Sequence, residues 1–170
     1  MLLGVDYGTS RTGLAMGRSG TCSALQAIPS PRTCGLSDVA RRVLEVALEQ
    51  GAEGILVGIP VQPGGSIVKP HTDSWMGARC RNLAHTLALL ANEHKLSVFL
   101  YNEASTTRAV INSMGYNWQH RLPNDERQAR GVDAESAAML LRLYYGDPRL
   151  AVRVKPKAIV VKRSPEDGPM

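Results

Sequence analysis

Residues 2–6 read Leu-Leu-Gly-Val-Asp, a short apolar run that stops at a carboxylate and is followed by Gly8. A run of this length with a turn former behind it predicts a buried strand. Residues 12–17 and 21–28 predict two more strands, and Arg18, Ser19 and Gly20 supply the turn between them. The three together begin an antiparallel meander. The hydrophobic period then lengthens. Val39, Val43, Val46 and Ala47 share one face of a helix over residues 38–50. Ser37 offers an N-cap, Asp38 suits the positive end of the helix dipole, and Gly51 suits the stop. Residues 54–58 form another apolar run between glycines, so strand, helix and strand predict a parallel crossover.

Residues 60–72 hold three prolines and the Gly64-Gly65 pair, a loop. A second helix is expected over residues 73–95, with Met76, Cys80, Leu83, Leu87 and Leu90 as its core stripe and Arg79 and Arg81 off it. Residues 97–101 give the fifth strand, 105–114 a short helix closed by Gly115, and 116–130 a polar, irregular stretch. The last helix covers residues 133–145, with Ala137, Met139, Leu140, Leu141 and Tyr144 as apolar surface. The order predicts a mixed five-stranded sheet flanked by helices, an α/β fold. Residues 147–170 read as a basic tail, in part disordered, with 157–162 a candidate edge strand.

Composition narrows the class. The 170 residues fit one domain, and 44 % hydrophobic residues suffice for a core built from Ile, Leu, Val and Ala, since there is one Phe. The net charge of +5 suits a polyanionic partner. Cys22, Cys34 and Cys80 are widely spaced, with no C-x-x-C pair and no Cys/His cluster, which predicts free thiols in a reducing compartment. No apolar run approaches the roughly 20 residues of a membrane span, and the N-terminus opens into a strand rather than a signal peptide. The expected location is the cytoplasm, with the chloroplast stroma as the alternative for a chain trimmed of a transit peptide. His71, His85, His94 and His120 are isolated and read as structural or surface residues.

Three carboxylates stand at element ends: Asp6 closes the first strand, Glu103 follows the fifth, and Asp133 opens the last helix. Functional groups of open α/β sheets gather at such ends. Hard divalent ions are held by a few carboxylate oxygens plus water and substrate phosphate, and two ions about 3.5–4 Å apart clamp both oxygens of a phosphodiester displacement. Each acid also has a structural reading: Asp6 as a turn residue, Glu103 as a solvated acid, Asp133 as a helix-start charge. Asp125, Glu126 and Glu135 read as surface charges.

These residues carry a resemblance. Leu3-Gly4-Val5-Asp6-Tyr7-Gly8-Thr9-Ser10-Arg11-Thr12-Gly13-Leu14-Ala15 resembles the first motif of the YqgF (RuvX) family. Ile55-Leu56-Val57-Gly58-Ile59-Pro60 with Gly64-Gly65-Ser66 is similar to its central strand and loop. Arg79 and Arg81 match its basic helix. Asn102-Glu103-Ala104-Ser105-Thr106-Thr107 falls where the family reads Asp-Glu-Arg-Leu-Thr-Thr, and Arg130-Gly131-Val132-Asp133-Ala134 matches its last helix. The resemblance covers residues 1–146. It implies a ribonuclease H-like fold, magnesium- or manganese-dependent nuclease activity, and a role in trimming precursor small-subunit ribosomal RNA; the family is also described as Holliday junction resolvase-like.

By position, Asp6, Glu103 and Asp133 inherit the catalytic and metal-binding roles. In the mechanism that the resemblance implies, Asp6 would be shared by two ions, Glu103 and Asp133 would each complete one side, and the ions would supply a water of lowered pKa for attack on the phosphate. Arg11, Arg79, Arg81, Arg108 and Arg130 are the candidates for holding the nucleic-acid backbone. The implied partners are precursor rRNA or branched DNA and pre-ribosomal particles, with no membrane, for a monomer or homodimer. Asn102 and Ala104 depart from the family pattern, removing an accessory charge and a phosphate contact.

Two rival readings share these features. Asp-x-Gly-Thr after an apolar strand also resembles the phosphate loop of actin-like ATPases and sugar kinases, but those have two domains and further nucleotide motifs. A catalytically silent RNA-binding assembly factor would need the same basic charge and would hold RNA without metal.

Overall fold

The computed structural model describes residues 1–103 and 131–156. The five expected strands are present: β1 (Leu2–Asp6), β2 (Arg11–Arg18), β3 (Thr21–Ala24), β5 (Gly54–Ile59) and β6 (Ser97–Asn102). Two short strands join them, β4 (Ile28–Pro29) and β7 (Val152–Val154). The run read as one strand over residues 21–28 is therefore broken. β3 and β4 both pair with β2, on separate stretches of it, and the chain must leave the first ladder to reach the second.

The sheet order is β3-β2-β1-β5-β6-β7, with β4 beside β2. β1, β5 and β6 run parallel, and β2 and β7 lie antiparallel to their neighbours. β7 lies in the segment read as tail, and the candidate strand at 157–162 lies outside the described residues. So do the helix expected over 105–114 and the irregular stretch 116–130.

Helices cover both faces. α1 (Leu36–Glu49) and α2 (Trp75–Ala91) lie on one side, α3 (Val132–Gly146) on the other. α1 starts earlier than expected, with Gly35 at the N-cap and no side-chain cap, so Ser37 does not play that part. Gly51 takes φ +66°, the left-handed stop that glycine permits. At α2 the cap is Ser74, whose hydroxyl accepts from Gly77 N at 3.0 Å. Helix α2 ends at Ala91, and a short 3-10 turn, Asn92–His94, completes the expected length.

Strand alternation divides the core. Leu3, Val5, Ile55, Val57 and Ile59 pack against Val39, Val43, Leu83 and Leu87 of α1 and α2. Leu56, Ala15 and Tyr101 pack against Ala137, Ala138, Leu140 and Leu141 of α3. Gly4 sits beneath α3: a Cβ there would meet Leu141 Cγ at 2.7 Å and the Ala137 carbonyl at 2.8 Å. A glycine inside a strand marks a close approach, and here it lets the last helix lie flat on the sheet. Among the described residues no helix is long and apolar enough to cross a membrane.

Candidate active site

Asp6 is the last residue of β1 and pairs across the ladder with Gly13 of β2. Its side chain takes the same face as Gly4, the face that carries α3. On its other flank β1 runs parallel to β5 with Val5 level with Val57, which brings Gly58 alongside Asp6. The carboxylate therefore stands between two residues without side chains.

Both vacancies are filled, one by the Glu103 side chain and the other by the main chain of Asp133. A Cβ on Gly58 would lie 1.8 Å from Glu103 Oε1, and a Cβ on Gly13 would lie 1.8 Å from the Asp133 carbonyl oxygen. Glu103 follows β6 directly, and its N–H donates to the Ile59 carbonyl at 3.1 Å, which continues the ladder for one residue and aims the side chain back over β5. Asp133 is in the first turn of α3, and its Oδ2 accepts from Arg11 Nε at 3.2 Å. Three separate elements thus deliver three carboxylates to one edge of the sheet, on one face.

Electrostatics tie the first two together. Burial, and then the negative charge of Asp6, push the Glu103 carboxyl up to about 8. On the far side of the sheet, burial first and then Glu103, Asp6 and Asp73 raise the Cys80 thiol, leaving it an inert core group. A desolvated pair of like charges suits a hard cation. Magnesium is held by one or two carboxylates, with waters and substrate phosphate completing its shell, and oxygen donors are what Asp6 and Glu103 offer. Among the described residues no three His, Cys, Asp or Glu side chains form a ready-made metal cage. Asp133, held by Arg11, stands beside the pair rather than completing such a cage.

The basic candidates are placed differently from one another. Arg11 opens β2 and contacts Asp133. Arg79 donates from Nη2 to the Tyr7 hydroxyl at 2.8 Å, with its guanidinium 5.7 Å from the Tyr7 ring centre and 5.3 Å from that of Trp75. Arg81 is only 8 % exposed. Its Nε and Nη2 donate to the two carboxylate oxygens of Asp73, and Nη2 also to the Ile67 carbonyl at 2.8 Å. That guanidinium staples the 60–74 loop to α2. Arg108, Arg130, Ala104 and His120 lie outside the described residues, while Asn102 ends β6 opposite Ile59.

Sequence reasoning missed Gly13 and Gly58 as parts of the site. Their signal was present, since glycine interrupts two otherwise well-filled strands. It also missed Tyr7, Trp75 and the Asp73–Arg81 pair, which spacing alone does not reveal.

The family described as "RuvX: Holliday junction resolvase" matches residues 1–146. A protein of Pseudomonas aeruginosa named "Putative pre-16S rRNA nuclease" is 31 % identical over 141 residues, 83 % of this chain and 88 % of its own. Relatives of the same name from Azotobacter vinelandii and Chromohalobacter salexigens are 31 % and 26 % identical, covering 83 % and 91 % of this chain and 89 % and 95 % of theirs. Among solved structures, T. thermophilus RuvC in complex with a Holliday junction substrate superposes with a TM-score of 0.52 at 16 % identity, covering 90 % of this chain and 98 % of that one. The ribonuclease H-like α/β fold expected from the sequence is the fold observed.

Proposed function

This chain belongs to the RuvX family of Holliday junction resolvases, and from that premise we propose that it is a nuclease that hydrolyses phosphodiester bonds of precursor small-subunit rRNA in 5′-end processing. The observation that carries the reading is the Asp6–Glu103 pair at the carboxyl end of the sheet, with Glu103 pushed up to about 8 by burial and by Asp6. Perturbed carboxylates of this kind cluster at functional sites.

Asp6 and Glu103 are the residues that would hold a magnesium or manganese ion, with Asp133 beside them in the first turn of α3. A bound ion would supply a water of lowered pKa and neutralise charge on the phosphate. The chain's own groups do the rest. Gly58 and Gly13 let the acids approach closely. Arg11 orients Asp133 and is near enough to the edge to steady a phosphate oxygen, for which a guanidinium fork is suited. Arg79 offers a second cation. Arg81 acts on the loop that leads into α2, through Asp73 and Ile67, rather than on the nucleic acid. Arg108 and Arg130 remain proposed backbone contacts from their place in the family motif.

The RNA substrate is favoured by the names of the curated relatives. A second reading, a junction-cutting DNA endonuclease, is favoured by the family's description and by the RuvC complex. A precursor-rRNA substrate also argues for work in the cytoplasm. The two readings separate in a competition for cleavage between a labelled RNA spanning the immature 5′ end of small-subunit rRNA and a synthetic four-way DNA junction. Preferential cutting of the RNA supports processing, preferential resolution of the junction supports the second reading, and uncut substrates with RNA bound point to a silent assembly factor.

A further inference from the structure

Trp75 is a large aromatic residue left 59 % exposed at the first position of α2. Two guanidinium groups bracket it. Arg79 Cζ lies 5.3 Å from its ring centre and Arg32 Cζ, from the segment between β4 and α1, lies 5.5 Å away. The inner one is fixed. Arg79 is held by the Tyr7 hydroxyl through both Nε and Nη2, at 3.3 and 2.8 Å, and the Tyr7 ring is buried in the core shared with α1 and α2. The outer one, Arg32, is exposed. Ser74 caps the helix immediately before Trp75, which fixes the backbone that carries the ring.

An indole turned to solvent offers a flat apolar face to a ligand, and the two cations beside it attract an anionic group such as phosphate. Flat aromatic faces flanked by arginine are the chemistry of single-strand binding: a base stacks on the ring and the backbone is neutralised alongside. An intact duplex hides its base faces and cannot use such a ring. Tyr7 directly follows Asp6, so Tyr7, Arg79, Trp75 and Arg32 form a ladder that starts at the carboxylate edge and runs outward on the α2 side. The acids face α3 on the opposite side of that edge. A single strand draped over the carboxyl end of the sheet would reach both.

We propose that Trp75, bracketed by Arg32 and Arg79, is a stacking platform for an unpaired nucleotide of the strand presented to Asp6 and Glu103. The proposal rests on the nuclease reading and adds to it a preference for substrates with an unpaired base a few nucleotides from the scissile bond. RNA and DNA strands share the chemistry, so both are tested.

Protein carrying Trp118→Phe, in which Trp75 is the one remaining tryptophan, is titrated in chelator with a short single-stranded RNA, the DNA of the same sequence, and the blunt RNA duplex. Trp75 emission and the anisotropy of the labelled strand are read together. Both single strands quench Trp75 and the duplex does not. Trp75→Ala weakens single-strand binding about tenfold and leaves duplex binding unchanged, while Trp75→Phe restores most of the affinity. The melting temperature of Trp75→Ala shows whether it is folded, and Trp75→Phe keeps the comparison open if it is not. Strand binding without a change in Trp75 emission, or full affinity in Trp75→Ala, overturns the platform. Metal-dependent cutting by the unaltered chain is scored separately, so loss of the platform and loss of the nuclease reading are distinct results.

Discussion

The carboxyl oxygen of Glu103 occupies the place that a side chain on Gly58 would fill, since a Cβ built there would lie 1.8 Å from Oε1. Gly58 thereby sets the position of Glu103 beside Asp6. What stands in the way is the far end of a long side chain, which can rotate. Gly58→Ala is therefore expected to fold with little loss of stability while driving Glu103 away from Asp6. Displacing a catalytic group by about 1 Å can cost on the order of a hundredfold in rate, and that is the size of loss expected in cleavage. Gly13→Ala differs because its Cβ would meet main chain, Asp133 O at 1.8 Å and C at 2.3 Å. Here α3 itself must move, at a cost of about 1–3 kcal/mol or more in stability. Urea unfolding and cleavage assays on both variants check the contrast.

Glu103 also predicts how stability follows pH in the metal-free protein. An unfolded chain releases the Glu103 proton near 4.5, and the folded chain keeps it up to about 8. Below the first value both states are protonated and this group has no effect. Between the two values the folded state binds more protons than the unfolded state, so stability falls as pH rises. Above the second value the slope vanishes. Melting curves in chelator from about pH 5 to about pH 8.5 should show this decline, and Glu103→Gln should flatten it. A divalent ion competes with the same proton, so its affinity should rise through the same window. An identical slope in Glu103→Gln would assign the decline to other groups.

The buried pair of Arg81 and Asp73 predicts a stability effect without a binding effect. Arg81→Ala strands the Asp73 carboxylate, whose side chain is 3 % exposed, and breaking such a pair costs about 3–5 kcal/mol. Because the guanidinium is spent on Asp73 and Ile67, Arg81→Ala should leave the salt dependence of RNA binding unchanged. Arg79→Ala should lower that slope by about one. Denaturant unfolding and binding across a salt series check both halves.

Much of this arrangement was legible in the chain. Apolar runs beside turn formers located β1 and β5, which lie inside the sheet and are buried on both faces, and the 3.6-residue period located α1 and α2, each of which buries one face. Asp6 was legible for the same reason, a charge ending a strand that is otherwise core. The break between β3 and β4 was not, since residues 21–28 carry no Gly or Pro as a turn former and pairing to β2 decides where they extend. The start of α1 went unseen because Gly35 caps it without a side chain. β7 was missed because three residues carry no period, and it is the open edge of β6 that makes Val152–Val154 a strand. Convergence of Glu103 and Asp133 on Asp6 depends on strand register and on two glycines from different strands, and no local pattern encodes that.

The most direct measurement is cleavage of labelled single-stranded RNA and of a four-way DNA junction by the native chain and by Asp6→Asn, each with magnesium, with manganese and with chelator. Asp6→Asn keeps the shape of the side chain and removes the charge that faces Glu103. Metal-dependent cutting by the native chain, lost in Asp6→Asn while nucleic-acid binding is retained, is the predicted result. Equal cutting by both proteins, or cutting that persists in chelator, would contradict the assignment of Asp6 and Glu103 as the catalytic metal-binding pair.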